Sequence, residues 1–417
     1  MKIECNFNYS VEVEECNIDY LTSGFKQIQE LVFTDFAKTS LEQFGDSAMR
    51  KAIKPFRCAC GNDKDFIWKT KDAKSMKITT VRGEITLPQM QVQCKDCGKK
   101  MFISRLLLGV EKYQKMSSTT QKMLALIGAL TPFRVAEKIL GMVGVGIDRM
   151  KVWRCVQKVG KAIVFDLDPK ELPCGEADGT GIPIIGIKQR GQELKVFIQK
   201  KVGGGVRIAG LAIGKYDAGW DKLFGPLRET MMSFKSFLLV TDGDASIFKG
   251  IKCVNVILQR CLWHIPHQLK HCLWADKVKR KSAEWLEIMG KIYNIVSMRS
   301  HMETDEIDAL LLEKRAQLNA LIALCEERGY KGCASYLINA RPDMFSALEK
   351  RLNGKSSSLA ERVMRTVNMR INVGKWTPRG ALNAMNLRLA HYYNDWLPGE
   401  PDAKGVKIVR LQAKNIL

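Results

Sequence analysis

The chain has 417 residues, 46% hydrophobic and 26% charged, the proportions of an ordinary folded protein, which excludes disordered, collagenous and coiled-coil classes. Its 66 Lys and Arg against 44 Asp and Glu give a net charge of +22, an excess that points to a polyanion as partner, either nucleic acid or an anionic membrane surface. No stretch reaches the roughly 18 consecutive apolar residues of a spanning helix, and the N-terminus has neither a basic nor an apolar leader region, so no membrane partner and a cytoplasmic location are expected.

Residues 1–54 read as a lead-in, with helices expected from Ser23 to Phe36 and from Ser40 to Lys51. Residues 55–105 hold two cysteine pairs, Cys58 and Cys60 followed by Gly61, and Cys94 and Cys97 followed by Gly98, on either side of β-type sequence from Lys77 to Val92. Four thiolates on two tight knuckles complete a tetrahedron around a structural Zn²⁺, the arrangement of a zinc ribbon. The first pair is the shorter C-x-C, and free thiols are the alternative. The thirteen cysteines are otherwise scattered without a dense disulfide pattern.

Residues 115–165 read as a helix-turn-helix. Helices are expected from Ser118 to Leu130, from Pro132 to Leu140 and from Asp148 to Val159, with Gly141, Gly144 and Gly146 at the turn. The third helix offers Arg149, Lys151, Arg154 and Lys158 on its outer side and Val152, Cys155, Val156 and Val159 for packing. Such a helix suits a major groove; a plain three-helix bundle with a solvated basic face is the alternative.

After a linker from Asp166 to Pro173, residues 174–395 begin as an α/β layer. Strands are expected over Ile182 to Lys188, Leu194 to Lys200, Arg207 to Ile213, Phe237 to Thr241 and Val254 to Leu258, with a helix near Trp220 to Met232. Phe237 to Thr241 reads as a buried parallel strand, and Gly203 to Gly205 as a hairpin turn, because no phosphate-loop lysine follows. From about 268 to 352 the sequence is helical. A further helix is expected from Ser357 to Met369, and 396–417 is a tail.

Two aspartates fall where such a layer holds ligands. Asp178 precedes the first expected strand, and Asp242 closes Phe237 to Thr241, beyond the carboxyl end of a strand. Together they offer oxygen ligands for a divalent cation; Asp-Gly turn chemistry is the alternative, and Asp244 competes with Asp242 for the role. From Lys350 to Asn394 nine basic residues surround one acid, Glu361. That acid is either a helix-start carboxylate or a third metal ligand among phosphate-binding cations such as Arg362, Arg365 and Arg370. His267 and His271 share a helical face, while Trp263 and Trp376 read as core aromatics rather than base-stacking platforms.

The ordered set Asp178-Gly-Thr, Thr241-Asp242-Gly243, Gln259-Arg260-Cys261-x-x-His264 and Ser357-x-x-x-Glu361-Arg362-x-x-Arg365 resembles the Mutator superfamily of DDE transposases, which includes bacterial insertion-sequence enzymes. The resemblance covers roughly residues 174–390. It implies an RNase H-like catalytic domain, a mixed sheet flanked by helices with an all-helical insertion, behind the zinc ribbon and helix-turn-helix. It implies a catalytic triad of Asp178, Asp242 and Glu361 holding two Mg²⁺ or Mn²⁺ ions, and the family's Cys-x-x-His signature on Cys261 and His264. The implied activity is DNA transposition at the nucleoid: cleavage at the element's terminal inverted repeats and transfer to target double-stranded DNA, by a homo-oligomer that brings two ends together. A non-catalytic, sequence-specific DNA-binding regulator derived from such an enzyme is the alternative.

Overall fold

The computed structural model describes residues 3, 5, 7, 9, 18–49, 57–81, 83–111, 114–142, 145–187, 192–297, 304–352 and 358–399. Lys51, Gly144, Lys355, Ser357 and the tail beyond residue 399 lie outside them. The described chain divides into two compact units, one made of residues up to Gly128 with Phe133–Cys155, the other of Ala129–Pro132 with Val156–Leu397.

The first unit opens with a single helix, α1 (Ile18–Met49), where two were expected. Thr39 and Ser40 supply neither Pro nor Gly to break it, and Leu41 and Ala48 pack into the unit's core. Then follow β1 (Phe66–Thr70), β2 (Ser75–Thr80), β3 (Gly83–Pro88), β4 (Gln91–Cys94), β5 (Lys100–Phe102) and the short α2 (Ser104–Leu107). β2 and β3 form an antiparallel pair, and β4 is the centre of the sheet β1-β4-β5. Met76, Ile78, Ile85, Leu87 and Val92 alternate inward against α1, the period-2 burial of a one-sided sheet. Three helices come next: α3 (Ser118–Leu130), α4 (Phe133–Met142) and α5 (Arg149–Lys161). Each bound falls within two residues of its expected place.

The second unit is built on β6 (Cys174–Gly181), β7 (Glu193–Lys200), β8 (Val206–Gly214), β9 (Phe237–Thr241) and β10 (Val256–Arg260), ordered β10-β9-β6-β7-β8. β6, β7 and β8 are an antiparallel meander, while β9 runs parallel to β6 and β10 parallel to β9. The first strand therefore lies at residues 174–181 and not over Ile182 to Lys188. Its Asp and Gly content reads as a turn, but pairing on both sides at the sheet centre overrides that propensity. Asp178 is thus within a strand. Between β7 and β8, Lys201 N–H donates to Gly205 O at 3.2 Å, closing the expected hairpin turn.

One sheet face is covered by α6 (Tyr216–Phe224), α7 (Arg228–Ser233) and α8 (Ala245–Ile251). Pro226 divides the helix expected near Trp220 to Met232, leaving a one-turn 3₁₀ segment, Gly225–Leu227, between α6 and α7. Phe197 lies 5.2 Å from Phe224 and 5.9 Å from Phe237, ring centre to ring centre, at the middle of this layer's core. Burying each such ring contributes about 2–3 kcal/mol. Against the opposite face lie α14 (Ser358–Ile371) and α15 (Pro378–Tyr393), the latter started by a Thr377 cap with Pro378 in its first turn.

Between β10 and α14 stands a helical block: α9 (His264–Ala275), α10 (Ala283–Val296), α11 (Thr304–Glu327), α12 (Lys331–Ala340) and α13 (Ser346–Glu349). It has its own core, including Ile265, Leu269, Ile292, Leu318 and Leu337. The end of β10 fastens this block to the sheet. The Gln259 amide donates to Met344 O at 2.6 Å and accepts Ala347 N–H at 2.9 Å, and Arg260 pairs with Asp343 through Nε–Oδ1 at 2.8 Å. Breaking a buried ion pair leaves a charge uncompensated, at about 3–5 kcal/mol. Asp343→Ala is therefore expected to lower the unfolding free energy by about 3 kcal/mol in a urea titration; a loss below about 1 kcal/mol would contradict this account.

Candidate metal and carboxylate sites

In the first unit the four sulfurs of Cys58, Cys60, Cys94 and Cys97 all lie within 4.8 Å of one another. Cys58 Sγ is 3.6 Å from Cys97 Sγ, and Cys60 Sγ is 3.7 Å from Cys94 Sγ. Zn–S bonds of about 2.3 Å in a tetrahedron require sulfurs ~3.8 Å apart, so the spacing fits a structural metal such as zinc. Both knuckles turn through a glycine at positive φ, Gly61 at 97° and Gly98 at 69°. Burial alone would push the Cys94 thiol up, but backbone N–H groups of Cys97 and Asp96, with Cys60 and Asn62, bring it down to about 7, a value that favours the ligating thiolate.

In the second unit the even-numbered residues of β6 point toward α14. Glu176, 0% exposed, accepts the Ala360 N–H at 2.8 Å and pairs with Lys200 at 3.1 Å. Burial raises its carboxyl, and Lys200 and the N–H groups of Ala360 and Leu359 oppose that rise. Thr180 donates its hydroxyl to Asn368 Oδ1 at 3.1 Å. Asp178 lies between these two fastenings on the same face. Glu361 directly follows Ala360 in the first turn of α14.

The parallel pairing sets Glu176 beside Val240; two residues further along the same register come Asp178 and Asp242. Asp242 stands just past the end of β9 and is exposed. Asp244 caps α8, its carboxylate accepting Ser246 N–H at 2.9 Å, while Asp242 accepts Asp244 N–H at 2.9 Å. Desolvation raises the Asp178 carboxyl to about 6; the Gly179 N–H and His264 work against the rise, while the negative fields of Asp242 and Glu361 add to it. His264, at the start of α9, is held above its ordinary value mainly by the Cys261 thiol, against its own burial, with Asp178 and Asp242 adding to the rise. Cys261 itself is buried, and its N–H donates to Thr241 O at 2.7 Å. Asp178 thus feels both other carboxylates and His264. The three carboxylates are not drawn within 4.8 Å as the thiols are; among the described residues only the four cysteines form such a group. Glu361 instead faces Arg365 at 3.9 Å.

The basic residues divide. Arg149, Lys151, Arg154 and Lys158 are exposed on α5, with Val152, Cys155 and Val156 buried behind them. Arg362 and Arg365 are exposed on α14. Arg370, grouped above with phosphate-binding cations, is 2% exposed. Its guanidinium lies 4.6 Å from the Trp376 ring centre, and burial, with Arg388 nearby, lowers it to about 10. A cation so placed packs the core and does not face solvent. Arg388 is buried as well, donating to Thr366 O at 2.8 Å and Leu130 O at 3.1 Å, where it satisfies the end of α3. Trp376 is a core aromatic, 5% exposed, but Trp263 is not: it is 54% exposed. Glu176 and Lys200 escape a sequence reading, since only strand pairing reveals that they meet.

No family model matches the chain, and no match is found among curated proteins. Among the described residues no helix is long and apolar enough to cross a membrane.

Two outcomes test this geometry. Chain purified without chelator is expected to release about one zinc per molecule on thiol titration with a mercurial, and Cys94→Ser to release almost none. Because folding raises the Asp178 carboxyl from 3.8 to about 6, the stability tied to its protonation is complete below pH 4 and lost as pH rises through 6. Asp178→Asn should therefore be the more stable protein at pH 8, by on the order of 2 kcal/mol, with the gap closing by pH 4. Chemical denaturation at the two pH values checks this, and a variant less stable at pH 8 would refute it.

Proposed function

We propose that this protein is a DNA transposase of the Mutator type, with an RNase H-like catalytic domain spanning residues 174–395. The observation that carries the reading is the placement of three acids on adjoining elements of one layer: Asp178 in β6, Asp242 just past the end of β9, which pairs with β6, and Glu361 in the first turn of α14, whose start is held against β6 by Glu176. The strand order β10-β9-β6-β7-β8, with an antiparallel meander followed by two parallel strands, supports an RNase H-like assignment. The exposed basic face of α5 supports docking of the helix-turn-helix in the major groove at the element's terminal inverted repeats. The +22 charge supports a double-stranded DNA partner, for both element ends and target.

Asp178, Asp242 and Glu361 would hold two Mg²⁺ or Mn²⁺ ions. Hard carboxylate oxygens suit these cations, and a divalent cation would offset both the burial that chiefly raises Asp178 and the negative fields that add to it. The metals would supply an activated attacking oxygen and stabilise the leaving one. Glu361 must first leave Arg365, and an exposed ion pair of this kind is worth only about 0–1 kcal/mol. Arg362 and Arg365 would then bind phosphate oxygens on either side of the scissile bond.

In the first step a water oxygen attacks the phosphorus at the element end and loses its proton to solvent, the bond to the 3′ oxygen breaks, and that oxygen takes a proton from solvent to become the 3′ hydroxyl. In the second, the freed 3′ hydroxyl loses its proton and attacks a target phosphorus, displacing a target 3′ oxygen. No side chain forms a bond to DNA. His264 lies within the field of both aspartates, and Glu176 positions Glu361 through the start of α14.

Glu361→Gln and Asp242→Asn are each expected to reduce Mg²⁺-dependent joining of end-containing DNA to a plasmid at least a hundredfold, while gel-shift affinity for the ends stays within about twofold. Wild-type joining by Glu361→Gln would leave only the reading of a non-catalytic DNA-binding regulator.

A further inference from the structure

The helix α9 carries an outward stripe that the carboxylate site does not use. Trp263, His267, His271 and Trp274 follow one another along a single face and are exposed, the two tryptophans at 54% and 80%. The Trp263 ring is stacked on His267, centres 5.8 Å apart and planes 21° apart, and His267 lies 5.4 Å from His271. Large exposed rings in a row are costly in water, and α9 has enough buried apolar residues on its other face, Ile265, Leu269 and Leu273, to fold without them.

The electrostatic setting selects the occupant. Lys270 stands beside the stripe, and the exposed Lys277, Lys279, Arg280 and Lys281 follow its far end. Between Trp263 and Lys281 the one acid is Asp276, whose two oxygens accept the Gly332 and Cys333 N–H groups at 2.9 Å each. Aromatic faces among cations, with no unengaged acid on this stretch of chain, suit a polyanion whose bases are free to stack. Duplex DNA keeps its bases paired and offers such rings nothing but its backbone. The near end of the stripe opens on a cleft of ≈ 1130 Å³ lined by Asp242, His264 and His267 among others, so a strand on α9 leads to Asp242.

We propose that the outer face of α9, from Trp263 to Trp274 and on to Lys281, is a binding track for single-stranded DNA leaving the carboxylate site. The proposal deepens the reading of that site as one that cuts DNA, and rests on it for the identity of the strand. Trp263 to Trp274 spans about 16 Å of helix, a length that accommodates about four unpaired bases at the lower end of known single-strand footprints.

The test is anisotropy of fluorescein-labelled oligo(dT) of 15 nucleotides with full-length protein in EDTA, where no cleavage occurs. Wild type is expected to bind with tryptophan quenching. Trp263→Ala and Trp274→Ala should each weaken binding about tenfold or more, whereas Trp274→Phe retains most of it. Duplex of the same length should bind equally to all four proteins. Both tryptophans are exposed, and unchanged circular dichroism and melting temperature exclude misfolding as the cause. Unchanged oligo(dT) affinity in the double alanine variant overturns the proposal. So does an equal loss on duplex, or a drop in native mass on light scattering, which would make the stripe a contact between two copies of this chain. Because these measurements need no metal, their failure leaves the cleavage reading standing, and loss of that reading through Glu361→Gln leaves them interpretable.

Discussion

The carboxylate of Glu176 is the fastening on which the second unit's site depends. A carboxylate with 0% exposure is costly to bury, and this one is compensated from two sides, by the Lys200 ammonium and by the first free N–H groups of α14. A helix N-terminus carries about half a positive charge and unsatisfied donors, so the strand supplies what the helix start lacks, and the reverse. Together with the Thr180–Asn368 hydrogen bond, this contact fixes the height of α14 along β6. Asp178, two residues on in the strand, and Glu361, one residue on in the helix, inherit their relative placement from it.

Around that anchor the site gathers like charge. Asp178 is pushed up to about 6, first by burial and then by Asp242 and Glu361, and His264 is held up in part by the same aspartates. An arrangement that raises its own carboxyl in this way sacrifices stability at neutral pH.

The helical block shows how a long excursion from a sheet is closed without disturbing it. The excursion leaves at the end of β10, and the Gln259 amide and Arg260 guanidinium at that point bind Met344, Ala347 and Asp343 at its return. The entropic cost of closing a long loop grows only slowly with its length, and the block's own core, around Leu318 and Leu337, repays it. The same closure carries α9 to the edge of the carboxylate site. Its outer face is thereby left to solvent, and Trp263, which reads as a core residue by composition, is exposed.

Periodicity in the sequence determined most of the elements, since burial on one face of a helix or strand must be written locally. The bounds of α3, α4, α5, β7, β8 and β9 follow from it, as does the pairing of two cysteine knuckles, whose ligand spacing is a short-range property. The single acid among the bases at Glu361 was also visible in the chain alone. Tertiary structure decided what depends on residues far apart. It put Asp178 inside a central strand despite turn-like sequence, because β7 pairs with it at Val196 and β9 holds the same strand up to Glu176. It joined Glu176 to Lys200 and Ala360, and it turned Arg370 and Arg388 from surface cations into packed ones. A formal charge is counted along the chain, whereas its solvation is set by neighbours that only the fold brings together.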